Sequence, residues 1–125
     1  MINFLYLFNF LECGHFCVKY ILKKEGKKKN VDYCKRLMSL GLIKKVLKEY
    51  FDYCECYFVK NLEELKNKKR FLTVIKVRGK YLHYIVVEDI SDKCVYYYDP
   101  FFCFLKRAEI NKFKKKWANF CCFYS

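Results

Sequence analysis

The chain has 125 residues, the size of one domain, and at that length it buries roughly two-thirds of its unfolded surface in a single core. It is 54% apolar and 21% aromatic, which excludes a disordered, solvating chain. The net charge is +13, carried almost wholly by lysine, and this bears on which partners the chain can take.

Only Arg36, Arg70, Arg78 and Arg107 are arginines. Arginine is the better residue for bidentate phosphate and base recognition, so the charge reads as a solvated lysine surface and no nucleic-acid partner is expected. The longest apolar run, residues 2–11, falls short of the about 20 residues that cross a bilayer. It has no positive leading region and no small-residue site before Cys13, so it does not read as a signal peptide. Nine cysteines, an odd number, without an export signal read as reduced thiols in the cytoplasm, packed as small hydrophobes. Cys34, Cys94, Cys103 and Cys121 lie in apolar, periodic stretches and fit that role. The spacings Cys13-x3-Cys17, Cys54-x-Cys56 and Cys121-Cys122 lack the two-residue gap of a zinc knuckle, so no metal or other cofactor is expected.

Residues 2–10 read as an extended, buried lead-in. Phe16, Cys17, Tyr20 and Ile21 recur with a 3.6-residue period and predict a helix over residues 14–24. A polar loop follows, with Gly26 in the C-cap role. A second helix is predicted over 32–40 with Gly41 as its stop, and a third over 42–53. The period then changes. Residues 54–59 predict a strand, and 62–67 a brief helix capped by Asn61 with Glu63 and Glu64 in its first turn. Strands are predicted over 71–77, 81–88 and 94–98, joined by turns at Arg78-Gly79-Lys80 and Ile90-Ser91-Asp92-Lys93, as an antiparallel meander. A helix over 109–118 and a strand over 120–124 end the chain. Helices first and sheet second make an α+β plan, with N-terminal helices packed on a C-terminal antiparallel sheet.

Cys13 sits where the first helix begins. Aligned peptide dipoles and free N–H groups at a helix N-terminus favour a thiolate. Gly14 allows close approach of other groups, and the Cys13 backbone N–H is placed to serve an oxyanion hole. Cys17, one turn on, reads as a packing residue. Of the two histidines, His15 lies two residues from Cys13 on the same helix and points to another face. His83 shares one strand face with Tyr81 and Ile85, in so apolar a setting that it needs polar partners. Asp99 ends the neighbouring strand, before Pro100. Asp-Pro alone is a turn signal. As an ordered set, Cys13, His83 and Asp99 supply a nucleophile, a base and an orienting carboxylate.

At these residues the chain resembles the bacteriocin-processing, double-glycine leader peptidases, papain-like cysteine peptidase domains often found on peptide-exporting ABC transporters. Glu12-Cys13-Gly14-x-x-Cys17 matches the family's acidic residue, nucleophile, glycine and second cysteine. His83-Tyr84 matches its histidine strand, Asp99-Pro100 the Asp-Pro one hairpin later, and residues 113–123 a late helix ending in Trp followed by a strand. The resemblance covers almost the whole chain and implies one papain-like domain over residues 1–125. It implies a peptidase that cuts a leader peptide after Gly-Gly, near the inner face of the membrane beside a transporter. Two departures stand out. Leu7 occupies the place of the family's oxyanion-hole Gln, leaving Asn9 as the substitute amide. No transporter domain follows Ser125, so the resemblance implies a stand-alone protein, a transporter on a separate chain or an excised domain. The competing expectation is a peptide-binding module without peptidase activity.

Overall fold

The computed structural model describes residues 13–27, 38–77, 81–102 and 104–125. The expected lead-in with Leu7 and Asn9, most of the helix expected over 32–40, the turn at residues 78–80, and Cys34 and Cys103 lie outside the described residues.

Helix α1, Cys13–Lys24, buries Cys17, Val18, Ile21 and Leu22 along one stripe. Its last turn carries Lys23 and Lys24, which suit the negative end of the helix dipole. Gly26 follows at φ 72°, the left-handed C-cap position that favours glycine. Helix α2 is Leu40–Leu47. Gly41 is therefore inside a helix rather than the stop of one. Ser39 decides this: its Oγ accepts the Leu42 N–H at 3.1 Å and caps the new helix. The helix also ends earlier than expected. The Tyr50 N–H bonds to the Leu47 carbonyl at 3.0 Å, three residues back, and this tighter turn closes the element.

The strands are β1 Cys54–Phe58, β2 Phe71–Val77, β3 Tyr81–Ile90, β4 Cys94–Asp99, β5 Phe104–Glu109 and β6 Trp117–Tyr124. They form one antiparallel sheet in the order β1-β6-β2-β3-β4-β5. The expected meander is β2-β3-β4. Strand β5 was not foreseen; it extends the meander to the sheet edge. Between β1 and β2 lies a 3-10 turn, Leu62–Leu65, in place of the expected α-helix. Asn61 does not cap it with its side chain; the Asn61 amide reaches Glu64 Oε1 instead, at 3.4 Å. Helix α3, Ile110–Lys116, is shorter than predicted because Trp117 already belongs to β6.

Alternation along the strands gives the sheet two buried faces. Leu72, Val86 and Cys122 meet α1 and α2. Their neighbours Phe71, Val87 and Cys121 meet α3 and the 3-10 turn. Covering both faces makes the strands read as continuous apolar runs, and it fixes α1 across β3.

Candidate active site

His83 is near the start of β3, opposite Ile75 of β2. Asp99 closes β4, the neighbour of β3 on its other side. The expected proximity of the two is met: His83 Nε2 lies 2.8 Å from Asp99 Oδ1, and both side chains are buried. A carboxylate accepts, so Nε2 carries a proton toward Asp99. Nδ1 is buried and has no hydrogen-bond partner among the described residues. The Phe101 ring stacks on the imidazole, with centroids 3.9 Å apart and planes 20° from parallel. The Phe101 N–H donates to Asp99 Oδ1 at 2.9 Å, a local turn that locks the carboxylate after Tyr98-Asp99-Pro100. On the other oxygen, Lys106 Nζ stands 3.3 Å from Asp99 Oδ2. Burial acts to raise the Asp99 pKa, but the His83 bond and charge, the Phe101 N–H and Lys106 together hold it below the usual carboxylate range.

Cys13 is 7% exposed. The backbone N–H groups of Tyr84, Gly14 and Cys13 itself favour its thiolate, and burial opposes them with the help of the Asp99 charge. Burial wins, and the thiol is pushed above its ordinary range. The expected activation by the helix start is thus present but outweighed by desolvation. The sulfur is set against the backbone of the residue that follows His83; no hydrogen bond joins it to the imidazole. Gly14 makes a close approach here: a Cβ on it would meet Met38 Cβ at 3.1 Å, and Ile43 Cδ1 and Tyr84 Cδ2 at 3.3 Å each. Cys17 is fully buried in the core under α1, as expected. His15 is also fully buried and is not part of the His83–Asp99 pair. Phe101 and Lys106 were missed from the sequence, Lys106 because its strand was missed.

A groove of about 680 Å³ lies between α1 and the β4–β5 hairpin, and Cys13, His83 and Asp99 are not among its lining residues. Phe16, Tyr20, Tyr98 and Leu105 make its apolar floor, and Lys19 and Lys23 stand among its walls. Tyr98 immediately precedes Asp99, and Phe104, also in the groove, is the register partner of Asp99. Among the described residues, no group of three or more His, Cys, Asp or Glu is arranged to hold a metal ion. No helix among them is long and apolar enough to cross a membrane.

A helix that opens at a cysteine and packs on an antiparallel sheet, with histidine and aspartate on adjacent strands, is the papain-like α+β architecture. The chain belongs to the Peptidase C39 family, whose model matches residues 8–125. Among solved structures, it is similar to the peptidase domain of Streptococcus ComA, a bi-functional ABC transporter involved in a quorum-sensing pathway. That match has a TM-score of 0.76 and 16% identity over 91% of this chain and 90% of the other. It is similar to a double-glycine-motif protease from an AMS/PCAT transporter, solved in complex with the leader peptide, with a TM-score of 0.68 and 15% identity over 99% and 86% of the two chains. A periplasmic domain of the EpsAB fusion protein of the Vibrio vulnificus type II secretion system also matches, with a TM-score of 0.64 and 11% identity over 93% of this chain and 47% of that one. No curated protein sequence matches significantly.

Proposed function

We propose that the chain is a cysteine endopeptidase that cuts a leader peptide after a Gly-Gly-type site. The observation that carries this reading is the buried His83–Asp99 pair, with Nε2 engaged at 2.8 Å and Nδ1 left as a base. Cys13 attacks the scissile carbonyl while His83 takes its proton, and His83 returns that proton to the leaving amine. Asp99 holds the tautomer and steadies the imidazolium. Because the thiol is the resting form, the proton moves as the substrate is engaged, when hydrogen bonds of this kind tighten. The Cys13 N–H serves the oxyanion, with the Asn9 amide as second donor. No metal or cofactor takes part.

The groove between α1 and the β4–β5 hairpin has the chemistry for the rest of the substrate. Its apolar floor and lysine walls suit an acidic, amphipathic leader segment. The partner is then a peptide carrying that leader, delivered to an ABC transporter at the inner face of the membrane. The alternative is a module that binds the leader without cutting it. The raised Cys13 thiol and Leu7 in the place of the family's Gln favour that second reading.

The test is incubation with a synthetic leader peptide that continues past Gly-Gly, read by mass spectrometry. Cleavage after the second glycine by the wild type, abolished in Cys13→Ala, is the expected result. Binding without cleavage by the wild type overturns the peptidase reading in favour of the module.

A further inference from the structure

On the β1–β6 side of the sheet, with β2 between it and the strands that carry His83 and Asp99, three thiols meet. Cys54 and Cys56 are two apart on β1 and project from one face. Cys122 of β6 stands directly opposite Cys56. Tyr53 and Ser125 exchange N–H···O bonds of 3.0 Å in both directions, and Val59 N–H bonds to the Asn119 carbonyl at 2.8 Å. Counting from those hydrogen-bonded positions, Cys56 and Cys122 form a non-hydrogen-bonded pair, in which Cα atoms approach to about 4.5 Å. That separation lies within the range of about 4.4–6.8 Å that a disulfide bridges. Cys54 Sγ is 3.3 Å from Cys122 Sγ. Cys54 and Cys122 are buried, whereas Cys56 is partly exposed on the edge strand. Lys44 and Lys48 both pair with Glu55 between the two β1 cysteines, at 2.8 and 3.7 Å. The contact with Cys122, in which either sulfur can donate, together with these two lysines holds the Cys54 thiol below its ordinary range, while burial pushes the Cys56 thiol up.

We propose that Cys54, Cys56 and Cys122 form a peroxide-responsive thiol site whose product is a Cys56–Cys122 disulfide. Cys56 is the outer thiol. A hydroperoxide oxidises it to the sulfenic acid, its O–O bond breaking and, for hydrogen peroxide, water leaving. The Cys122 sulfur then attacks the Cys56 sulfur. The S–S bond forms, hydroxide departs from Cys56, and the Cys122 proton passes to the Cys54 thiolate along their existing contact. Both electrons that reduce the peroxide come from the two thiols, so no further oxidant is needed. The bond ties the edge strand β1 to β6 and is reversed by an added dithiol. None of the three thiols touches the proposed peptidase machinery, so this inference stands or falls apart from that reading.

The test uses the full chain treated with hydrogen peroxide, blocked with N-ethylmaleimide, digested and mapped by tandem mass spectrometry. Cys54 and Cys56 fall in one tryptic peptide, as do Cys121 and Cys122, so fragment ions must assign the link. A Cys56–Cys122 link that disappears with dithiothreitol is expected, together with a rise in the thermal midpoint of the oxidised protein. Cys56→Ser is expected to form no link, and Cys54→Ser to form it on the order of 100-fold more slowly for want of the proton acceptor. Far-UV circular dichroism reports whether these conservative variants fold, and the wild-type mapping does not depend on them. Oxidation of Cys56 to the sulfinic acid with no link, or a Cys54–Cys122 link at undiminished rate in Cys56→Ser, overturns the proposal. Because Cys13 is outside the site, Cys13→Ala is expected to give the same link as the wild type.

Discussion

Lys106 Nζ sits 3.3 Å from Asp99 Oδ2, while His83 Nε2 holds Asp99 Oδ1 at 2.8 Å. One carboxylate thus faces two cations when the imidazole is charged, and Lys106 competes for the charge that steadies it. Since Asp99 is held below its ordinary value, its contribution to stability is full above about pH 4, the unfolded value. It is lost as pH falls through the lower folded value. Lys106→Ala brings the folded value nearer the unfolded one. The variant is expected to be less stable than the wild type at neutral pH, with the difference shrinking as pH falls below the unfolded value and through the lower folded one. Urea unfolding at a series of pH values checks this.

Cys13 carries a thiol pushed above its ordinary range by burial. Iodoacetamide labelling of this residue in the free protein is therefore expected to be slow at neutral pH and to climb through and beyond the ordinary thiol pKa of about 8.5. A rate already level from pH 6 upward would instead mean a resting thiolate–imidazolium pair. His83→Ala leaves that labelling profile nearly unchanged but lowers peptide cleavage by about 100- to 10,000-fold. Mapping the label by mass spectrometry separates Cys13 from the other thiols.

Gly14→Ala tests the packing of α1 on β3. Alanine is intrinsically better in a helix by about 1 kcal/mol. Three atoms within 3.1 to 3.3 Å of the new methyl group oppose it, and overpacking of this kind costs about 1–3 kcal/mol. The variant is expected to lose stability and to displace Tyr84, whose N–H faces the Cys13 sulfur. Thermal unfolding and the Cys13 labelling rate should change together.

Thr73 is fully buried, accepts the Trp117 indole N–H at 2.8 Å and donates to the Phe120 carbonyl at 2.7 Å. Thr73→Val keeps the shape and strands both partners. A loss of about 1–3 kcal/mol is expected, measured by urea unfolding. Thr73→Ser, which keeps the hydroxyl, should recover most of it.

The sequence was most legible where one physical signal acted alone. The period through Phe16, Cys17, Tyr20 and Ile21 marks α1, and the β-branched run of β2 and β3 marks the meander. His83 and Asp99 were placed correctly because adjacent antiparallel strands leave little choice. Gly41 misled because a stop signal and a mid-helix glycine look alike until the Ser39 cap is seen. Strand β5 was hidden because Phe104 and Leu105 are both exposed, so no alternation announces an inner face. With β5 went Lys106. The helix start that favours the Cys13 thiolate is written in sequence, while the burial that opposes it is a property of the assembled fold.

Strand β6 lies between β1 and β2, although it follows both, and every other described strand, in the sequence. Until residues as far as Tyr124 have left the ribosome, β1 lacks its sheet partner among the described strands and β2 has an open flank. Contacts of such long sequence separation form late. Open strand edges on a nascent chain invite pairing with other chains. Synthesis therefore passes through an interval in which β1 and β2 lack the strand that joins them, and that interval closes once β6 has emerged.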